Sequence, residues 1–316
     1  MNRTFAMIAS CITLLATGSV AESRHDPISA RTPISFTLEL GAGSTTLQLK
    51  LSLGEHSSAT NSFTPETLAG LDRTALNTTG PVRFALAREP GRFDCEGEAS
   101  RRVASGRCSF TSDVGFSRYL AERGIGSPSF QQSYELVMTG ANRALIEALA
   151  DAHYPKPTID QLVALSALGV DRAYVADLSR NGFRPDDLED LTAFAALHID
   201  GTYAGEMTRA GLGKLRASDL IALKSLGVTK AYVAELTQAG LPDRSGDEIV
   251  QLKAVGVTPA YVRELAAIGY AGLSADKLVQ MKAVGVTAED VRRAKKIGIN
   301  DPTPDDLVQL RALHRR

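Results

Sequence analysis

The amino-acid sequence predicts an α+β protein: a small antiparallel β domain followed by an α-helical solenoid of 29-residue helix-turn-helix repeats. Two observations carry that class. Between Ile34 and Phe110 apolar residues alternate with polar ones, the period of a half-buried strand. From Leu162 onward they recur at helical spacing, and the pattern returns without a gap every 29 residues. The stretch Leu220 to Leu241 shows the unit. Leu220, Leu223 and Leu226 share one stripe of a first helix, and Gly227 stops it. Thr229 caps a second helix, Tyr232, Val233 and Leu236 line its inner face, and Gly240 ends it.

Composition agrees with a globular chain: of 316 residues, 44% are hydrophobic and 22% charged, too apolar for disorder. The formal net charge of -1 gives no overall attraction to nucleic acid or anionic lipid.

In chain order, residues 1–21 read as a signal peptide. Arg3 supplies the positive start, Phe5 to Val20 is apolar or small, and Ser19-Val20-Ala21 offers a cleavage site. The run is short for a membrane span. Ile8-Ala9-Ser10-Cys11 resembles a lipoprotein box, but Leu14 and Leu15 follow it, where a lipidated cysteine stands after the apolar core. Cleavage removes Cys11 and leaves Cys95 and Cys108, which export would oxidise to a disulfide. Residues 22–32 read as a flexible lead-in.

Residues 33–112 form the expected β domain. Phe36, Leu38 and Leu40 mark one strand and Leu47, Leu49, Leu51 and Leu53 the next, with Gly41-Ala42-Gly43-Ser44 as the turn. His56 to Thr64 reads as a polar segment, and Pro65 to Leu71 as one or two helical turns. Val82, Phe84 and Leu86 mark a third strand, and Glu89-Pro90-Gly91 turns the chain. One hairpin register then pairs Cys95 with Cys108, Phe93 with Phe110, Gly97 with Gly106 and Ala99 with Ala104, around a turn at Arg101 and Arg102. Closing that loop contributes about 3 kcal/mol in the chain-entropy account. The alternative is two free buried thiols. Two cysteines without nearby histidines fall short of a zinc shell.

Residues 113–157 read as a helical connector. Ser112 or Asp113 caps a helix to about Arg123, and Gly124 to Pro128 breaks it. Helices from Phe130 to Met138 and Ala141 to Ala152 form a worn repeat, since Leu136, Leu145 and Leu149 stand 29 residues before Leu165, Tyr174 and Leu178. It would join the sheet to the solenoid and cover its first end.

Residues 158–316 hold five and a half repeats. The first stripe position is Leu162, Leu191, Leu220, Ile249, Leu278 and Leu307; the second is Leu165, Phe194, Leu223, Leu252, Met281 and Leu310; the third is Leu168, Leu197, Leu226, Val255, Val284 and Leu313. The first stop is Gly169, His198, Gly227, Gly256, Gly285 and His314. The second helix carries Tyr174, Tyr203, Tyr232 and Tyr261, with Asp290 breaking the row. Thr158 with Gln161 and Ser245 with Glu248 are capping boxes, and Pro259 and Pro304 suit first helical positions. Helices of about ten residues are marginal alone, so each must lean on its neighbours. Arg292, Arg293, Lys295 and Lys296 crowd the last second helix, and the charged final half-repeat after it reads as a cap.

Candidate chemistry is sparse. The tyrosine row reads as core packing with hydroxyls near the surface. Lys224, Lys253, Lys282 and Arg311 recur on first helices, and Asp177, Glu206, Glu235 and Glu264 on second helices. These form either intra-repeat ion pairs or a partner-binding stripe; the stripe residues are Lys224, Lys253, Lys282, Arg311, Glu206, Glu235 and Glu264. His153, His198 and His314 occupy stop positions, His25 lies in the lead-in and His56 in a loop, so no metal site and no cofactor are expected. No GxSxG, HExxH, phosphate loop or GxGxxG occurs, and no catalytic residue is assigned. Asp186-Asp187 and Asp305-Asp306 suit helix starts. The Leu-Gly-Val turn resembles the helix-hairpin-helix element that grips a nucleic-acid backbone. That element has a second glycine after the hydrophobic residue, where this chain has threonine or aspartate.

The units LKSLGVTKAYVAELTQAGL and LKAVGVTPAYVRELAAIGY resemble repeats of exported bacterial proteins without known function, and of the extracytoplasmic tails of BlaR1/M56-type membrane regulators. The β segment ending FDCEGEASRRVASGRCSF is similar to the region preceding those repeats. The resemblance implies a periplasmic accessory or sensing role. No peptidase activity carries over, because HExxH and the multi-span part are missing.

The expected protein is a periplasmic or secreted scaffold that binds a protein or peptide of the cell envelope, not an enzyme. Nucleic acid and a membrane span after cleavage are not expected. A ligand-sensing accessory of envelope signalling, or a hydrolase with its site in the β domain, is the alternative.

Overall fold

A computed structural model describes residues 32–40, 46–54, 57–242 and 244–313. The expected signal peptide, all but the last residue of the lead-in, the Gly41–Ser44 turn, and His25, His56 and His314 lie outside the described residues.

The β part is one antiparallel sheet. Its strands are β1 (Ile34–Leu40), β2 (Leu47–Leu53), β3 (Ser57–Phe63), β4 (Leu68–Ala69), β5 (Gly80–Arg88), β6 (Gly91–Ser100) and β7 (Val103–Ser112). They lie in the order β3-β2-β1-β7-β6-β5-β4. The β6–β7 register is the expected one, and the Cys95–Cys108 disulfide is present with Cα atoms 4.0 Å apart. Arg101 and Arg102 both hold left-handed backbones, φ 51° and 73°. A two-residue hairpin loop asks for that, and glycine or asparagine usually supplies it. Here bonds hold Arg102 in place: its amide donates to Leu76 O at 2.9 Å and its guanidinium to Leu40 O at 3.1 Å.

The sheet curls tightly. Phe36 on β1 and Phe84 on β5 are separated by two strands, about 14 Å on a flat sheet, yet their ring centroids are 5.0 Å apart. Gly97 and Gly106 face each other beneath them. A Cβ on Gly106 would stand 2.8 Å from the Phe36 ring, and one on Gly97 2.1 Å from Ser105 O. The missing side chains make the room into which the rings close.

Two local readings need correction. The segment from Ser57 is strand β3, paired with β2 at all seven positions from Ser57–Leu53 to Phe63–Leu47. Pairing with the leucine-rich neighbour overrides its weak strand propensity. Pro65 to Leu71 makes a single 3-10 turn, Pro65–Thr67, and then β4. A second 3-10 turn, Arg73–Asn77, is capped by Asp72.

Helix α1 (Val114–Glu122) starts at Asp113, and α2 (Phe130–Thr139) and α3 (Arg143–Asp151) follow. The first helices of the repeats are α4 (Ile159–Ala167), α6 (Leu188–Ala196), α8 (Ala217–Ser225), α10 (Gly246–Ala254), α12 (Ala275–Val284) and α14 (Pro304–Leu313). The second helices are α5 (Arg172–Arg180), α7 (Gly201–Arg209), α9 (Lys230–Gln238), α11 (Pro259–Ala267) and α13 (Ala288–Lys296). First helices pack on first helices from α2 to α14, and second helices on second helices at α3–α5–α7 and α9–α11. Leu162, Leu191, Leu220, Ile249, Leu278 and Leu307 are each at most 1% exposed, within one core that runs from Phe116 to Leu307. The third stripe row departs from expectation. Leu168 and Leu313 are exposed and the rows between them half-buried, because Leu168, Leu197, Leu226 and Val255 already stand at helix caps.

The first helices from α4 through α12 close with the same hydrogen bond. The amides of Val170, Ile199, Val228, Val257 and Val286 donate to Leu165, Phe194, Leu223, Leu252 and Met281 O at 2.8–2.9 Å. This return bond needs a left-handed residue just before it. Gly169, Gly227, Gly256 and Gly285 supply it, and so does His198, at φ 53°. His153 plays the same part at the end of α3, the second helix of the worn repeat, at φ 59°. The Thr158–Gln161 and Ser245–Glu248 capping boxes are formed.

Helix α2 joins the two halves. Its Leu136 lies in the solenoid core, while Tyr134, Val137 and Met138 lie in the sheet core. Buried Tyr134 donates to Leu51 O at 3.0 Å, and Asn61 on β3 and Arg88 on β5 both donate to Met138 O at 2.8 Å. Those donors satisfy carbonyls that a helix C-terminus leaves open.

Candidate functional site

Within the solenoid, the repeats are stapled to one another by the tyrosine row. Tyr174, Tyr203, Tyr232 and Tyr261 donate their hydroxyls to Ile199, Val228, Val257 and Val286 O at 2.6, 3.1, 2.7 and 2.9 Å. Every acceptor lies 25 residues ahead, in the next repeat's inter-helix turn. The same apolar residue therefore closes its own helix through its amide and receives the previous repeat through its carbonyl. The sequence reading sets the hydroxyls near the surface; in the structure they end on the carbonyls of buried residues. Burial pushes the Tyr203, Tyr232 and Tyr261 hydroxyls up to about 12.

The recurrent cations complete the staple. The ammonium groups of Lys224, Lys253 and Lys282 lie 4.3, 4.4 and 4.5 Å from the ring centroids of Tyr203, Tyr232 and Tyr261. Each lysine covers the ring of the repeat before it, an attraction of about 0.5–2 kcal/mol. At the next step both members change together: Asp290 replaces tyrosine, and Arg311 donates to its carboxylate at 3.2 Å. Burial raises the Asp290 pKa, but Thr287, Arg311 and Arg293 outweigh it and hold the carboxyl below its usual range.

The expected intra-repeat ion pairs are not the arrangement found. Among the described residues no ion pair joins Lys224, Lys253 or Lys282 to Glu206, Glu235 or Glu264, because the lysines turn to the rings. Glu235 and Glu264 are exposed, whereas Glu206, the three lysines and Arg311 are half-buried. Asp177 accepts from the Gly201 amide at 2.7 Å and draws α7 against α5. Only glycine fits there, since a Cβ would stand 2.3 Å from Asn181 Nδ2.

His153 and His198 stay apart, each serving a helix stop. Among the described residues no three His, Cys, Asp or Glu side chains converge as metal ligands. A depression of about 640 Å³ lies on the polar outer face of β5, β6 and β7. Its carboxylates are engaged: Asp94 with Arg92 at 2.7 Å and Glu96 with Arg83 at 3.8 Å. A second depression of about 570 Å³ runs between the connectors at Asn181–Asp186 and Lys214–Ala217. It is lined by equivalent parts of consecutive repeats.

No family model, curated protein or solved structure matches the chain. The class defined by the coordinates is thus structural: a curled, disulfide-bridged antiparallel sheet continued by a helical-repeat stack. Among the described residues no helix is long and apolar enough to cross a membrane.

Proposed function

We propose that this protein is a periplasmic or secreted scaffold that binds a protein or peptide partner of the cell envelope, with no catalytic activity of its own. The observation that carries this reading is the rigid repetition of surface positions. Lys224, Lys253 and Lys282 are held at equivalent places by the tyrosine rings beneath them. Glu235 and Glu264 are exposed at equivalent places on the second helices. Side chains fixed before binding lose little entropy on contact, and a repeat stack spreads them over an extended surface. The Cys95–Cys108 disulfide supports an oxidising location, as does the signal-like start of the sequence. The resemblance to BlaR1/M56-type tails belongs to the same reading.

The test is capture of partners from periplasmic extract by the wild-type protein and by two variants, Glu235→Lys/Glu264→Lys and Lys224→Gln/Lys253→Gln/Lys282→Gln. The reading expects a discrete partner whose recovery falls with either variant. Equal recovery by all three proteins would place the contact elsewhere.

A further inference from the structure

We propose that strand β3 is a self-association edge, pairing antiparallel with β3 of a second copy about a two-fold axis through Thr60. The sheet's two edges are built differently. β4 has only two residues and offers no template, whereas β3 has seven and pairs with β2 without a bulge. Exposed edges are normally blunted by charge, proline, a bulge or short length, because unpaired backbone groups recruit other strands. The β3 sequence, SSATNSF, contains no charge, proline or glycine. Among the described residues nothing pairs with its outer side. The edge is also stiff, since Asn61 is tied to Met138 O at 2.8 Å and Ser62 accepts from Gln48 at 2.6 Å.

The residues favour a second copy over a foreign strand. Ser58, Thr60 and Ser62 share the outer face, beside Ser52, Lys50 and Gln48 of β2. A two-fold axis at Thr60 sets Thr60 opposite Thr60 of the other copy, and Ser58 opposite Ser62. Serine and threonine pairs across strands exchange hydroxyl hydrogen bonds. Ser62 accepts from Gln48, which leaves its proton to donate to Ser58 of the other copy. On the inner face Ala59 meets Asn61 across the axis, so no two bulky groups collide there. The charge beside Thr60 on β2, Lys50, lies three strand spacings from its symmetry mate, about 14 Å. That exceeds the screening length of about 8 Å at physiological salt. Such a contact is isologous and closes at two copies, so it does not run on into fibres.

The test uses like charges on the axis. Thr60→Lys and Thr60→Glu each place identical charges face to face, which weakens pairing, while a mixture of the two places opposite charges there. Sedimentation velocity should show a concentration-dependent monomer–dimer equilibrium for the wild-type protein. Association should fall at least tenfold in either variant alone and return in the equimolar mixture. Thr60→Cys supplies a second readout: it should form an intermolecular disulfide with itself under mild oxidation. Ser62→Cys should cross-link with Ser58→Cys and not with itself. A wild-type protein that stays monomeric to its solubility limit would overturn the proposal. So would dimers indifferent to both Thr60 charges, or Ser62→Cys cross-linking to itself as readily as Thr60→Cys. Capture of an extended peptide of another protein by a monomeric wild-type β3 edge would likewise refute it.

Discussion

Replacing Tyr232 with phenylalanine isolates one hydroxyl of the inter-repeat staple. The ring stays, so packing and the Lys253 contact at 4.4 Å are kept. What is lost is the 2.7 Å bond to Val257 O. A neutral hydrogen bond contributes about 0.5–1.5 kcal/mol net, and a buried group left without its partner costs about 1–3 kcal/mol. Val257 is 1% exposed, so water cannot replace the donor. The expected loss is about 1–2 kcal/mol. Urea unfolding followed by circular dichroism should show it as a lower midpoint with an unchanged slope. Tyr119→Phe is the control: its hydroxyl reaches Glu147 at 3.4 Å, and its loss should stay within about 0.5 kcal/mol. If Tyr232→Phe were as silent as Tyr119→Phe, the staple would not hold the repeats together.

Three further outcomes follow from the same structure. The raised tyrosines make stability sensitive to alkali: unfolded tyrosine titrates near 10 and Tyr203, Tyr232 and Tyr261 near 12, so the folded state holds more protons between those values. Stability from this source is complete below pH 10 and should decline as pH rises toward 12; urea midpoints that stay level over that window would contradict it. Reducing the Cys95–Cys108 disulfide, or substituting both cysteines with serine, should cost about 2–4 kcal/mol, read as earlier melting of the β part; unchanged melting would contradict it. His198→Gly should raise stability by about 0.5–1 kcal/mol, because glycine accepts the left-handed backbone at φ 53° without a Cβ clash; a lower urea midpoint would show that the imidazole makes a contact worth more than the strain.

The sequence made the repeat, the hairpin register and most helix ends legible, each for a physical reason. A fixed period places Leu162 through Leu307 on one stripe, and a stripe must be buried. The cysteine spacing allows one symmetric register, and it pairs glycine with glycine. Contacts between repeats were harder to read. The tyrosine and lysine rows were both visible, but an apolar pattern read within one repeat does not tell which neighbour a side chain meets. The constant offset from Tyr203 to Lys224, Tyr232 to Lys253 and Tyr261 to Lys282 was the available signal. The joint change to Asp290 and Arg311 strengthens it. Strand β3 was missed because Ser57–Phe63 has little apolar alternation and becomes a strand only through β2.

Deleting one repeat asks whether the hairpins are interchangeable. Removing residues 216–244 takes out 29 residues and joins Leu215 to the Ser245 cap, so Ser245 still starts its helix and Tyr203 meets the turn at Val257 instead of Val228. The shortened protein should keep the same helicity per residue and unfold cooperatively. A half-period deletion of residues 216–230 should abolish the cooperative transition. If both deletions unfold the solenoid alike, or neither does, the chain is not a stack of interchangeable hairpins.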